Sequence, residues 1–177
     1  ERIRVFLKTD PNEWGSYPGS STPMFPRLAL VGFVGLCLLV AASGAAVSAG
    51  ELRGWYSSLI SPPGPPESWV FGIVWAVLYV LIGTAAWLAW LRSDGGHPLR
   101  LWGWQLAANA LWAPAFFGLH NPPAGLAIVF VLAVLVGMTI HAFLRVHRVA
   151  AWMMTPYMAG VCYTAYLNTG FWWLNPV

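Results

Sequence analysis

The sequence predicts an all-α integral membrane protein, a bundle of five transmembrane helices with a Pro-rich first loop. Two observations carry this expectation. The 177 residues are 58% hydrophobic and only 8% charged, against roughly 45–50% and 25% in soluble domains. The charges are also segregated, with no Lys, Arg, Asp or Glu in 28–50, 68–91, 101–144 or 149–177. About 20 consecutive apolar residues cross the ~30 Å hydrocarbon core of a bilayer as a helix.

The first span is expected at about 28–49. A basic start and the small-residue run Val47-Ser48-Ala49 imitate a secretory signal peptide, but the segment is read as a membrane span. Its small-residue spacings, Ala41 with Ala45, Ala42 with Ala46, and Gly32 near Gly35, suit close helix approach, within the bundle in preference to a homodimer. Glu51 to Glu67 forms the one long connection. Gly54, Trp55, Tyr56 and Pro62-Pro63-Gly64-Pro65-Pro66 cannot continue a helix and favour turns and polyproline geometry, so a semi-rigid loop or lid is expected. The second span follows at about 68–91. The uncharged stretch 101–144 is too long for one span. Gly118-Leu119-His120-Asn121-Pro122-Pro123 divides it, giving spans at about 99–119 and 124–144. The fifth is expected at about 149–172.

Five spans place Arg2, Arg4, Lys8, Arg27, Arg92, Arg100, Arg145 and Arg148 on one side and Arg53 alone on the other. The positive-inside rule then puts the N-terminus in the cytoplasm and the C-terminus in the periplasm of a bacterial inner membrane. Residues 1–26 differ from the rest. They are polar and rich in Pro and Gly, yet carry Phe6, Trp14 and Tyr17. Such a segment reads as a disordered tail or as an extramembrane arm held against a partner or the membrane surface.

Several function classes are disfavoured. The net charge of +3 comes from basic residues scattered at the ends of apolar segments, which forms no stripe for a nucleic acid. Cys37 and Cys162 both fall in apolar stretches, as small hydrophobes and not as a disulfide framework. His97, His120, His141 and His147 lack metal-ligand spacing. No serine or cysteine has a visible base, and no phosphate-binding Gly-rich loop follows a strand. The spans hold no Asp or Glu to relay protons or couple ions, and Glu51 and Glu67 are far apart in sequence.

Twelve tryptophans are the most unusual feature. Trp102, Trp152, Trp172 and Trp173 lie near predicted span ends and read as interfacial anchors. Trp75 and Trp112 sit inside their spans, where each indole N–H needs a partner in the bundle or on a ligand. Trp75 and Tyr79 share a helical face continued by Ile82 and Ala86. Gln105 and Asn109 share another, with Trp112 and Phe116 on the same stripe. Two amides on one face of a membrane helix point into the bundle, either bonding helices together or meeting a ligand. Tyr157, Thr164 and Asn168 add a polar line to the fifth span, in which Pro156 frees a backbone carbonyl. Flat aromatics with a few fixed polar groups suit a large planar apolar ligand, which this pattern alone does not name.

These residues also form motifs. Trp55-Tyr56 precedes Pro65-Pro66 and Trp69-Val70-Phe71. Val74-Trp75-Ala76-Val77-Leu78-Tyr79 comes next, then Gln105-Leu106 with Asn109, Leu111-Trp112, Pro114 and Phe116-Phe117-Gly118. Pro156-Tyr157 leads to Tyr166-Leu167-Asn168. In this order, over roughly residues 50–175, the chain resembles the translocator protein family, the tryptophan-rich sensory proteins related to the peripheral benzodiazepine receptor. The resemblance implies a five-helix bundle, often a homodimer, that binds tetrapyrroles such as protoporphyrin IX without a covalent bond in a pocket beneath the first loop. Trp55, Trp75, Tyr79, Asn109 and Trp112 would line or roof it. Some members are reported to promote light-dependent porphyrin breakdown through two tryptophans. One matches Trp75, but Gly160 stands at the second position, which disfavours that activity here. The basic residue that ends the sterol motif of mammalian relatives is also missing, since nothing after Arg148 is Lys or Arg.

The expected function is therefore tetrapyrrole binding in the membrane, to regulate or transport porphyrin intermediates. The ligand site is expected at Trp55, Trp75, Tyr79, Gln105, Asn109, Trp112, Phe116, Tyr157 and Asn168. The alternative is an auxiliary subunit of a larger membrane complex, photosynthetic by analogy with relatives in purple phototrophic bacteria, docked through the N-terminal arm.

Overall fold

A computed structural model describes residues 26–93 and 96–176, and these residues are helical throughout apart from their connections. The expected arm, except for Pro26, lies outside them. Five helices of 18 residues or more follow one another: α1 (Pro26–Glu51), α3 (Ser68–Trp90), α4 (Gly96–Ala113), α5 (Pro122–Val146) and α6 (Arg148–Leu174). One short turn, α2 (Trp55–Ser58), interrupts the first connection.

Local chemistry fixes most boundaries. The carbonyl bonding of α4 shifts where Pro114 removes a backbone donor, and one π-helical turn, Pro114–Gly118, extends the helix. Asn121 then starts α5, its side chain accepting the Ala124 N–H at 3.0 Å, with Pro122 and Pro123 in the first turn. His147 alone separates α5 from α6, its backbone extended and its Nδ1 accepting the Ala150 N–H at 3.3 Å. So short a link forces α5 and α6 to run antiparallel in contact.

Two faces result. At one, the Trp87 indole N–H donates to the Pro26 carbonyl at 2.7 Å, which brings the start of α1 to the end of α3. The start of α4 and the α5–α6 link share this face, and with them Arg27, Arg92, Arg100, Arg145 and Arg148. At the other, His120 pairs with Glu51 at 2.8 Å, and Asn175 exchanges hydrogen bonds with the backbone of Ile60 at 2.8 and 3.0 Å. Arg53 lies on this second face.

Three helices, α1, α3 and α5, are individually long and apolar enough to cross a membrane. The five-span expectation is matched here in part, for a physical reason. α4 and α6 carry the amides and hydroxyls that face the bundle interior, Gln105, Asn109, Thr164 and Asn168, and these lower their mean hydropathy. The outward surfaces remain apolar, with Val31, Leu39, Val77, Val134 and Trp173 all exposed, as a bilayer requires.

Two expectations about packing are corrected. Trp102 is no interfacial anchor. It is 5% exposed, and its indole donates to the Ile82 carbonyl at 3.2 Å, because α4 begins earlier than predicted and carries Trp102 into the bundle. Trp152 and Trp173 do face outward, at 70% and 82% exposure. The Gly32 and Gly35 pair of α1 is not a packing seam either, although Ala41 packs against the core. A Cβ at Gly32 or Gly35 would touch nothing within 4 Å, whereas one at Gly83 of α3 would lie 2.8 Å from Val34 Cα. The close approach of α1 and α3 thus depends on a glycine of α3.

Candidate functional site

Beyond the contact at Gly83, α1 and α3 border a cavity of about 490 Å³, within the ~300–1,000 Å³ range of small-molecule sites. α1 contributes a wall of small residues, Ala41, Gly44, Ala45 and Ser48. α3 supplies Phe71, Gly72, Trp75 and Tyr79. Asn109, Trp112, Phe116 and Phe117 come from α4 and its π turn, and Thr164, Asn168 and Phe171 from α6. Ala42, Ala45, Gly72 and Ala76 border the cavity and are also exposed, so this side is thinly walled.

The interior polar groups form two nodes. Tyr79 donates its hydroxyl hydrogen to Asn109 Oδ1, and Asn109 Nδ2 donates to the Tyr157 oxygen at 2.6 Å, joining α3, α4 and α6. In the second, the Trp112 indole donates to Asn168 Oδ1 at 3.3 Å, while Asn168 Nδ2 donates to the Thr164 carbonyl at 2.9 Å. Gly125 permits this second node, because a Cβ there would lie 2.9 Å from both Asn168 Oδ1 and Phe116 Cδ2.

The aromatic groups surround these nodes. Trp75 meets Phe71, Tyr79 and Tyr157 at ring-centroid distances of 5.7, 6.0 and 6.0 Å, and Trp112 stacks on Phe116 at 5.7 Å and 21°. Among the described residues, the Trp75 indole N–H has no hydrogen-bond acceptor, whereas that of Trp112 is held by Asn168. Among the described residues, no charged side chain borders the cavity. It offers flat faces and neutral donors, which suit the binding of a planar apolar molecule.

Of the sequence-derived site residues, the fold brings Trp75, Tyr79, Asn109, Trp112, Phe116 and Asn168 onto this one wall. Tyr157 is fully buried behind Asn109. Trp55 stands outside, stacked on His120 at 4.7 Å and packed on Phe116. Consecutive residues of a helical turn point about 100° apart, so its neighbour Tyr56 borders the cavity instead. Burial, with Tyr163 adding to it, raises the Tyr56 phenol above its ordinary value. Gly160 faces Leu78 Cδ1, 3.0 Å from where its Cβ would be, and does not border the cavity.

Gln105 also lies apart from the cavity. It is 0% exposed, and neither amide atom has a partner. An unsatisfied buried polar group costs about 1–3 kcal/mol, so Gln105→Leu, similar in volume, is expected to raise stability by roughly that amount. Thermal unfolding in detergent measures it, and a lower midpoint would mean that the amide is satisfied by a group bound in the bundle.

The loop closes the cavity from above, and here sequence reasoning missed the anchors. Tyr163 and Tyr166 donate to the Gly64 and Pro63 carbonyls at 2.7 and 3.0 Å. Gly170 lets Pro62 sit against α6, since a Cβ would come within 2.5 Å of the Pro62 Cβ. Tyr163, Tyr166 and Gly170 recur at helical spacing on α6, the signal that would have found this docking line.

Comparison with known proteins matches the TspO/MBR family over residues 33–174. The chain belongs to the TspO/MBR family. It is similar to the tryptophan-rich protein TspO of Chlorobaculum tepidum, 32% identical over 81% of this chain and 93% of the relative. It is 35% identical to the protein CrtK of Rhodobacter capsulatus, over 79% and 88%. It is also 32% identical to the translocator protein of Bos taurus, over 86% and 93%. As a TspO/MBR member the chain is an integral membrane protein, and the matched region contains the whole cavity wall and the Pro-rich loop.

Proposed function

We propose that the protein spans the membrane five times and binds a planar tetrapyrrole such as protoporphyrin IX in the cavity, to regulate or carry porphyrin intermediates. The observation that carries this reading is the meeting of Trp75, Trp112 and Phe116 around the polar nodes of Asn109 and Asn168, beneath a docked loop. Ring faces bury and stack a flat macrocycle, while phenol and indole donors orient its polar edge. The free Trp75 N–H is one such donor.

The length of α4 with its π turn and of α6, and the inward turn of their polar residues, support counting both as spans. The five arginines of one face then lie in the cytoplasm by the positive-inside rule. The loop and the C-terminus face the opposite compartment, the periplasm if the host is a bacterium.

Titrating the purified protein with protoporphyrin IX is expected to quench its tryptophan fluorescence saturably. Trp75→Ala is expected to weaken binding by about 1–3 kcal/mol, the range for aromatic stacking on a heterocyclic base. Non-saturable quenching, or wild-type affinity in that variant, would count against the reading.

A further inference from the structure

A second hollow, of about 530 Å³, lies on the opposite, arginine-rich face, between the start of α4 and the end of α5. Its floor is apolar, built by Pro98 and Leu101 of α4 with Met138 and Ala142 of α5, and its rim carries His97, His141 and Arg145. Arg145 Nη2 and His141 Nε2 stand 2.8 Å apart, one helical turn from each other. With His141 as acceptor, the contact orients the guanidinium and leaves its other N–H donors free. The first turn of α4 adds backbone N–H groups without helical partners, where the helix dipole favours an anion. Arg100 and Arg148 strengthen the positive field, while Asp94, in the link before α4, lies outside the described residues.

The location adds a second requirement. The exposed Trp152, in the second turn of α6, marks interfacial depth on this face. From the rim, the exposed side chains of Met138 and Val134 continue the apolar floor along α5, away from the arginines. A cationic rim at headgroup depth with an apolar track running into the hydrocarbon matches a molecule that is anionic at one end and aliphatic at the other.

We propose that this hollow binds an anionic phospholipid of the leaflet on the arginine-rich face. Its phosphate lies against Arg145, His97 and His141, and one acyl chain lies along Met138 and Val134. A free phosphate would use only the rim. The site is separate from the tetrapyrrole cavity and does not depend on what that cavity binds.

The test uses the full chain in a non-ionic detergent, read by native mass spectrometry and thermal unfolding. Phosphatidylglycerol is expected to be retained and to raise the unfolding midpoint, and phosphatidylcholine with the same chains is not. Arg145→Gln should weaken retention about fivefold, the effect of one basic residue near an anionic lipid, while Arg53→Gln on the other face should not. Met138→Ser should weaken lipid retention too, since it removes apolar contact without touching the rim. Quenching by protoporphyrin IX should be unchanged in all three variants. Equal retention of the two lipids, wild-type retention in Arg145→Gln, or the same stabilisation by inorganic phosphate alone would overturn the proposal.

Discussion

Replacing Asn109 with leucine is expected to destabilise the protein by about 2–6 kcal/mol and to abolish high-affinity ligand binding together. The leucine is similar in size, so the loss is not one of volume. It leaves the Tyr79 hydroxyl without its acceptor and the Tyr157 oxygen without its donor. Each unsatisfied buried group costs about 1–3 kcal/mol, and Tyr157 is fully buried, so water cannot substitute there. Because the amide joins α3, α4 and α6, the effect should spread beyond one side chain. Thermal unfolding measures the first consequence and tryptophan quenching by protoporphyrin IX the second. Equal stability of the leucine variant and wild type would mean that the two phenols find other partners.

The second large effect is expected at Gly83. A methyl group there would lie 2.8 Å from Val34 Cα and 3.1 Å from the Phe33 carbonyl oxygen. These are backbone atoms, which cannot move aside as a flexible side chain would. Gly83→Leu must therefore push α1 as a unit, at the roughly 1–3 kcal/mol typical of overpacking. α1 has little to resist with, because Cys37 is its one fully buried residue. The other four long helices should stay folded, so helicity should fall only slightly while the cavity loses its α1 wall and ligand affinity drops steeply. Cys37 reports the displacement directly. In a Cys162→Ser background, which removes the exposed thiol, Cys37 should resist maleimide in the parent and react in the Gly83→Leu variant. Continued protection of Cys37 would show that α1 accommodates the leucine in place.

Both predictions concern groups whose importance is unequally visible in the sequence. Asn109 was legible, because an amide inside an apolar helix has few acceptable destinations. Its spacing to Trp112 and Phe116 also placed it on one face with them. Gly83 was not, since a glycine in an apolar run carries no sign of what approaches it. The same asymmetry runs through the site. Trp75, Tyr79 and Trp112 were found from periodicity within single helices. Tyr56, the small-residue wall of α1 and the loop anchors on α6 required knowing which helices meet. Gln105 shows the limit from the other side, for it shares a face with Asn109 by spacing but lies off the cavity.

By itself, the sequence determined that this chain is helical and membrane-embedded, where its helices begin and end to within a few residues, and which side chains must turn inward. Hydrocarbon imposes these outcomes locally, through the cost of an exposed charge, amide or unbonded backbone group, and that cost can be read residue by residue. Only the tertiary structure decided that Tyr56 and not Trp55 borders the cavity, that α1 walls it with alanines, and that His97, His141 and Arg145 share one hollow. Those outcomes depend on distances between helices remote in sequence. Such distances are set by the sum of many weak packing contacts and a few glycines, and no single segment records them.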